Sequence, residues 1–263
     1  MNLKYTPFGA FLYATMILYA ASCAAFLLRR RGVGWSLAAA GFLAAATCVV
    51  WRAFDTGRVP LRNLFEVMLA VAALMPPLSY FGRRLLGVGG EWGDLLIGVA
   101  LLVPVGFVFD AAPGCLPPML QTPLFGPHVA AYVIAYAVLA KAAVAAAGVL
   151  LARADAAPED RLRRECAVHR LVGLAFPLLT AGLVLGAVWG KLAWGNWWNF
   201  DPKELWSLAS WLVYLVYLHV RSAGLVRRPR VLAALVLLGF VVVIVTLLWV
   251  NLSPLFSGLH SYA

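Results

Sequence analysis

Val231-Leu-Ala-Ala-Leu-Val-Leu-Leu-Gly-Phe240-Val-Val-Val-Ile-Val-Thr-Leu-Leu-Trp249-Val250 runs for twenty residues without a charged side chain. At about 1.5 Å per residue, a helix of that length covers roughly the 30 Å of a bilayer's hydrocarbon core. Lipid offers no partner to backbone N–H and C=O groups, so such a stretch crosses as a helix that satisfies them internally. Seven further stretches read the same way: 8–28, 34–53, 64–82, 94–110, 128–152, 171–190 and 205–221. The expected fold is an all-α integral membrane protein of about eight transmembrane helices. The fourth and seventh stretches are short, which suits tilted spans or spans extended into the interface. No repeat or low-complexity tract breaks the pattern, and residues 1–263 read as a single polytopic membrane domain. The first span begins near Phe8 without a basic leading region or clear cleavage site, so it reads as retained rather than as a signal peptide.

Composition points the same way. Hydrophobic residues make up 63% of the chain and charged residues 12%, against about 25% charged in a soluble domain. The mean hydropathy is +0.88. The net charge of +10 could suggest nucleic acid. The arginines, however, sit in short clusters between apolar runs, the distribution that orients membrane proteins, and no aromatic-basic recognition module is present. One set of loops holds fourteen Lys and Arg residues, including Arg29–Arg31, Arg83, Arg84, Arg161, Arg163, Arg164, Arg170 and Arg228. The alternate set holds six: Lys4, Arg52, Arg58, Arg62, Lys191 and Lys203. The Arg-rich side is expected in the cytoplasm and both termini on the outer side of a cell (inner) membrane. Cys23, Cys48, Cys115 and Cys166 lack CxxC spacing and read as small hydrophobes rather than a zinc or disulfide framework.

The four histidines are sorted by this topology. His128 opens the fifth span and His260 follows the eighth, both on the outer side. His219 lies in the seventh span near its cytoplasmic end, and His169 sits in a basic segment beside Arg164 and Arg170 as a solvated residue. Ionisable groups inside spans are costly and default to functional candidates. Two outer histidines at span boundaries could ligate one metal centre.

Six of the ten tryptophans fall within Trp189-Gly-Lys-Leu-Ala-Trp194-Gly-Asn-Trp197-Trp198-Asn-Phe200-Asp201-Pro-Lys203-Glu204-Leu-Trp206-Ser207-Leu-Ala-Ser-Trp211. An aromatic belt explains one or two tryptophans at a span end, but less well a packed run joined to Asp-Pro-Lys-Glu. Asp201-Pro202 reads as a helix start, with Asp as N-cap, Pro at the first position and Glu204 at the third. An aromatic shelf in front of a capped helix could hold a large flat apolar ligand by offset stacking. A porphyrin is such a ligand, and its iron takes axial histidine. His128 and His260 could supply that ligation, and Lys203, Arg58 and Arg62 are cations on the same side for its propionates.

The 189–211 segment resembles the tryptophan-rich "WWD" signature of cytochrome c biogenesis proteins. More specifically, it resembles the CcsA/ResC branch of System II, labelled CcsB in some bacteria. The Asp-Pro-Lys-Glu continuation favours this branch over CcmC. Pro60-Leu-Arg-Asn63-Leu-Phe-Glu66, Gly173 through Trp189, Tyr214-Leu-Val-Tyr-Leu-His219-Val-Arg221 and Gly258-Leu-His260-Ser-Tyr262 fall in the matching order, so the resemblance covers nearly the whole chain. Phe200 departs from it by standing where the family usually has a third tryptophan, which keeps an aromatic face and loses an indole donor. Arg58 lies where many relatives carry Gly-His.

The resemblance implies a haem-handling function. His128 and His260 match the outer-face histidines that ligate haem b beside the WWD segment. His219 matches an in-membrane histidine whose partner comes from a ResB/CcsB-type subunit. Trp194, Trp197, Trp198, Phe200 and Asp201 complete the implied cofactor-binding set, although Asp201 and Glu204 read first as helix-capping residues. The implied role is to present haem on the outer side for attachment to an apocytochrome c bearing Cys-x-x-Cys-His, with a thiol-reducing pathway protein keeping the cysteines reduced. The enzyme would then be a holocytochrome c synthase-type subunit acting with its partner, and no general acid or base is assigned. Besides a structural assembly subunit that never binds haem, which would leave the aromatic shelf unexplained, two other readings stay open. One is a HemX-like haem regulatory or delivery protein, which retention of all three histidines argues against. The other is a cofactor-free proton or ion transporter using Lys141, Asp94 and Asp110, although Lys141 can snorkel and both aspartates sit at span ends.

Overall fold

The computed structural model describes residues 6–112, 114–152, 157–226 and 228–252. Among the described residues eight long helices follow one another: α1 (Pro7–Leu27), α2 (Arg31–Thr56), α3 (Leu64–Leu86), α4 (Glu91–Phe107), α5 (Phe125–Leu150), α6 (Pro158–Trp194), α7 (Pro202–Ser222) and α8 (Pro229–Ile244). A π-helical turn, Val245–Trp249, carries α8 into Val250–Leu252. Each expected stretch overlaps one of these helices, with ends that differ by a few residues, and the last runs on through the π-helical turn. Among the described residues, six helices are long and apolar enough to cross a membrane: α1, α2, α3, α5, α6, and α8 with its continuation. α4 has 17 residues, and α7 opens on the polar Pro202-Lys203-Glu204 of the tryptophan segment.

The helix ends follow from the chain chemistry. Thr6 Oγ1 accepts from the Gly9 N–H at 3.0 Å ahead of Pro7. Asn63 Oδ1 accepts from the Glu66 N–H at 3.0 Å at the start of α3. Left-handed Gly57 and Gly195 close α2 and α6, a conformation glycine adopts without steric cost. Proline occurs inside α3 (Pro76, Pro77), α4 (Pro104) and α6 (Pro177). Membrane helices tolerate it because neighbouring groups satisfy the freed carbonyls. The basic segment before the sixth span, a loop by the sequence pattern, is helical from Pro158. Pro at the first position and Glu159 and Asp160 in the first turn all suit a helix N-terminus. α6 is therefore about 55 Å long by its 37 residues, well beyond the hydrocarbon core.

The chain forms two compact units, residues 1–85 with 89–118, and 86–88 with 119–263. In the first, α1 packs along α2 and α4. Buried Tyr19 on α1 is wedged between two glycines: a Cβ at Gly41 or Gly98 would come within 2.6 or 2.9 Å of its ring. Its hydroxyl donates to the Ala72 carbonyl of α3 at 3.2 Å. Ser22 donates to Gly34 O at 2.8 Å, Tyr13 to Gly106 O at 2.9 Å and Cys23 to Trp92 O at 3.2 Å. α1 thus reaches the backbones of α2, α3 and α4 through tyrosine, serine and cysteine side chains, where small residues permit close approach.

In the second unit α5 lies along α6 and α8, and α7 packs against α8 and α6. Tyr132 of α5 sits on Gly182 of α6, and Tyr214 of α7 sits on Gly239 of α8, where a Cβ would fall 2.9 and 2.7 Å from the rings. Trp211 of α7 stacks on Phe176 of α6 with centroids 5.4 Å apart, and its indole N–H donates to Thr180 Oγ1 at 3.0 Å. Thr246, in the π-helical turn, donates to the Trp206 carbonyl at 3.2 Å. Lys141 does not snorkel as expected. It is only 1% exposed, within the apolar packing of α5.

A larger residue at the glycine seats has no room. Gly98→Val is expected to lower the thermal midpoint in detergent by an amount equivalent to about 1–3 kcal/mol. Tyr19→Phe, which loses only the bond to Ala72, should cost about 1 kcal/mol. Gly32→Val, with open space around it, should leave the midpoint within about 0.5 kcal/mol.

Candidate functional site

His128 projects from the first turn of α5 onto α6. A Cβ at Gly186 would lie 2.7 Å from its ring, so the imidazole occupies the space that glycine leaves. His128 Nδ1 is 2.9 Å from the Gly182 carbonyl oxygen. A carbonyl can only accept, so Nδ1 carries the proton and the ring lone pair sits on Nε2. A second hydrogen-bonding group that sets the tautomer in this way is the usual preparation of a histidine for metal ligation. Gly182, Gly186 and Gly190 recur every four residues and form a bare stripe on α6. Tyr132 covers its lower end, with its ring 5.3 Å from His128 at an edge-on angle.

The stripe leads into the tryptophans. Trp189 is 6.0 Å from His128 between ring centroids and tilted by 32°. Trp189 also stands edge-on to Trp194 at 4.8 Å, and its buried indole donates to the Met119 carbonyl at 3.0 Å. His128, Trp189 and Trp194 therefore form one continuous aromatic cluster.

From Gly195 to Asp201 the chain reverses through a loop held by side chains. Lys191 Nζ donates to Gly195 O at 2.6 Å, and Asn196 Nδ2 to Asn199 Oδ1 at 3.1 Å. Glu204 Oε2 accepts from the Asn199 N–H at 2.8 Å and the Asp201 N–H at 3.2 Å. Asp201 Oδ1 accepts from the Lys203 N–H at 3.0 Å, completing the capping box of α7. Asp201 is buried in that role. Lys203 Nζ donates to Asn251 Oδ1 at 2.7 Å, which ties the start of α7 to the end of α8.

Within this frame Phe200 has φ +56°, a left-handed conformation that is strained for a bulky residue. The loop bonds on either side impose it. The consequence is outward presentation: Phe200 is 73% exposed and Trp197 59%, with Trp198 half-buried between them. Large aromatic rings are held out by a rigid, hydrogen-bonded loop, which suits stacking on a flat apolar partner.

The candidate residues therefore divide by position. His128 and Trp194 belong to one aromatic cluster. Trp197, Trp198, Phe200 and Asp201 belong to the loop that follows Trp194. His219 is exposed in the last turn of α7, on the order of 25 Å along the helix from Pro202. His260 lies outside the described residues. His169 is half-buried within α6, its ring centroid 6.3 Å from Tyr217, rather than solvated in a loop. No cluster of three or more His, Cys, Asp or Glu side chains forms among the described residues. Sequence reasoning missed Gly182 and Gly186 as the seat of His128, and Asn196 and Asn199 as loop ties. The four-residue glycine spacing was the available signal for the first. Nothing local marked the second.

The cap and the strain separate cleanly by substitution. Asp201→Ala should lower stability by about 1 kcal/mol through loss of the cap. Phe200→Gly should leave the thermal midpoint unchanged or raised, because it relieves the left-handed strain. Thermal unfolding of the two variants in detergent checks both.

Known proteins share part of this sequence. The chain is 53% identical over 96 residues to the cytochrome c biogenesis protein CcsA of Trichormus variabilis, covering 36% of this chain and 26% of that protein. It is 47% identical over 123 residues to the protein of the same name from Gloeobacter violaceus, covering 46% and 33%. The matched segments thus span about a quarter to a third of these relatives' lengths. Residues 8–260, nearly the whole chain, match the family described as Cytochrome C assembly protein, and the chain belongs to that family.

Proposed function

We propose that this protein acts in cytochrome c biogenesis by holding haem b on the outer side of a cell membrane for covalent attachment to an apocytochrome c. The observation that carries the reading is the seating of His128. Its ring rests on Gly186 and its Nδ1–H is bonded to Gly182 O, with Trp189 and Trp194 alongside. This is the donor chemistry that porphyrin iron takes as an axial ligand, next to the faces that a macrocycle stacks on. Family membership and the names of the CcsA relatives support the same function.

In this reading all eight long helices span the membrane, with the Arg-rich loops in the cytoplasm and the tryptophan loop and both termini outside. His128 and His260 hold the substrate iron, and Trp194, Trp197, Trp198 and Phe200 hold the ring face. Asp201 and Glu204 keep the loop rigid and donate no proton. The exposed position of His219 at the far end of α7 suits ligation shared with a histidine of a ResB/CcsB-type partner, at an earlier point on the substrate's route. Each cysteine thiol of a Cys-x-x-Cys-His segment then adds across a vinyl group, sulfur to one carbon and the proton to the other. The histidine of that segment displaces an axial ligand and releases the product. The chain's own contribution is positioning and control of the iron. The thiols must arrive reduced, which calls for a thiol-reducing protein.

The test is the absorption spectrum of the full chain purified with its partner subunit. Wild type should show a reduced low-spin haem spectrum. His128→Ala and His260→Ala should lose or alter it and recover it with added imidazole, and His219→Ala should give a different change. Wild-type protein without haem, or three variants with unchanged spectra, would overturn the assignment and favour the transporter reading.

A further inference from the structure

Each of the two rings that flank His128 is pinned through its own polar atom. On one side stands Trp189, 6.0 Å away between ring centroids, with its indole N–H committed to the Met119 carbonyl. On the other stands Tyr132, one turn further along α5, 5.3 Å away and at 87° to the imidazole. The Tyr132 hydroxyl is hydrogen-bonded to Ser207, a buried residue in the second turn of α7. Tyr136, itself buried, packs against the Tyr132 ring at 5.5 Å. Tyr132 is thus held by its hydroxyl and by a neighbouring ring.

The registration of α5 on α6 gives that ring a task. Positions 128 and 132 are four apart, as are Gly186 and Gly182, so the imidazole sits on one glycine and the phenol ring on the other. A Cβ at Gly182 would fall 2.9 Å from two carbons of the Tyr132 ring. The same Gly182 supplies the carbonyl that accepts from His128 Nδ1–H at 2.9 Å. Tyr132 therefore covers the residue on which the tautomer of His128 depends. Without the ring, the imidazole is free to turn about its Cβ–Cγ bond, and the bond to Gly182 O loses its wall. An unrestrained neutral imidazole favours its proton on Nε2, which takes away the lone pair that a metal needs there.

We propose that Tyr132 is a positioning residue of this site: pinned by Ser207, its ring holds His128 against the Gly182 carbonyl as the Nδ1–H tautomer. Because Ser207 lies on the helix that follows the tryptophan loop, one hydrogen bond joins the seat of the histidine to the start of α7. The tautomer belongs to the chain alone, whereas its use on haem iron rests on the proposed function.

Two measurements separate these. In the first, the full chain labelled with nitrogen-15 histidine is placed in lipid without haem, at about pH 8.5, where an imidazole is neutral. Solid-state NMR reads which ring nitrogen carries the proton, and the His128 signal is the one lost in His128→Ala. Wild type should show the Nδ1–H form. Tyr132→Leu, which removes the ring, should show a mixture with the Nε2–H form. Tyr132→Phe keeps the ring and loses its tether, so it should lie between, and Ser207→Ala should match it. Should Tyr132→Leu fail to fold, Tyr132→Met, closer in volume to the ring, carries the same expectation. In the second measurement the chain with its partner subunit is titrated with haem b, and Tyr132→Leu should bind about tenfold more weakly. The inference is overturned if wild-type His128 carries its proton on Nε2. It is equally overturned if folded Tyr132→Leu keeps the wild-type tautomer, even with a lowered thermal midpoint, since the ring would then serve packing alone. Absence of haem binding in wild type would count against the proposed function, and the tautomer would still decide this inference.

Discussion

The His128 imidazole rests on the backbone of α6 at Gly186 and bonds to the carbonyl one turn earlier. Any side chain at 186 would push the ring away from that carbonyl, so one missing Cβ sets both the distance between α5 and α6 and the tautomer of the histidine. The ring then stands beside Trp189, which leads through Trp194 to the loop. The orientation of the loop aromatics follows in turn from the capped start of α7. The same seating recurs at Tyr19 on Gly41 and Gly98, Tyr132 on Gly182 and Tyr214 on Gly239. Lipid gives helices no hydrophobic reason to associate with each other, so close packing and buried hydrogen bonds carry that task. An aromatic ring on a glycine supplies the packing, and for Tyr19 and Tyr214 the hydroxyl reaches a neighbouring backbone carbonyl.

Several polar side chains of the described residues tie the helix connections together. Arg52 serves Glu66 and two carbonyls, Glu204 serves two backbone N–H groups, and Lys203 serves Asn251. These bonds hold the connections between helices at places where the apolar spans cannot specify a geometry. The strain accepted at Phe200 belongs to the same pattern, because a loop fixed at both ends can impose a left-handed φ and hold a ring out from the surface.

Much of the fold was legible in the sequence because lipid leaves a strong signal: long apolar runs became helices, and the short fourth and seventh runs became the two helices that fall below the length or apolarity of a span. The cap at Asp201-Pro202 with Glu204 was legible because it is local, requiring only residues three apart. Other features depend on contacts distant in sequence. The seat of His128 lies 54 residues away on α6, and only the spacing of Gly182, Gly186 and Gly190 hinted at it. Nothing in the chain distinguished Arg58 from Arg62, yet Arg58 bonds Glu66 through its guanidinium and Arg62 through its backbone N–H. Lys141 was expected to snorkel because its stem is long, but it lies too deep in α5 for its amine to reach the surface.

The central claim is that the glycine stripe of α6 presents His128 as an iron ligand, and one substitution isolates it. Gly186→Val can be compared with Gly173→Val, a change on the same helix where nothing lies within reach of a Cβ. Both would be purified with the partner subunit and examined by absorption spectroscopy with and without imidazole. The account requires Gly186→Val to lose the low-spin haem spectrum and regain it with imidazole, while Gly173→Val behaves as wild type. A Gly186→Val protein that keeps the wild-type spectrum would contradict it.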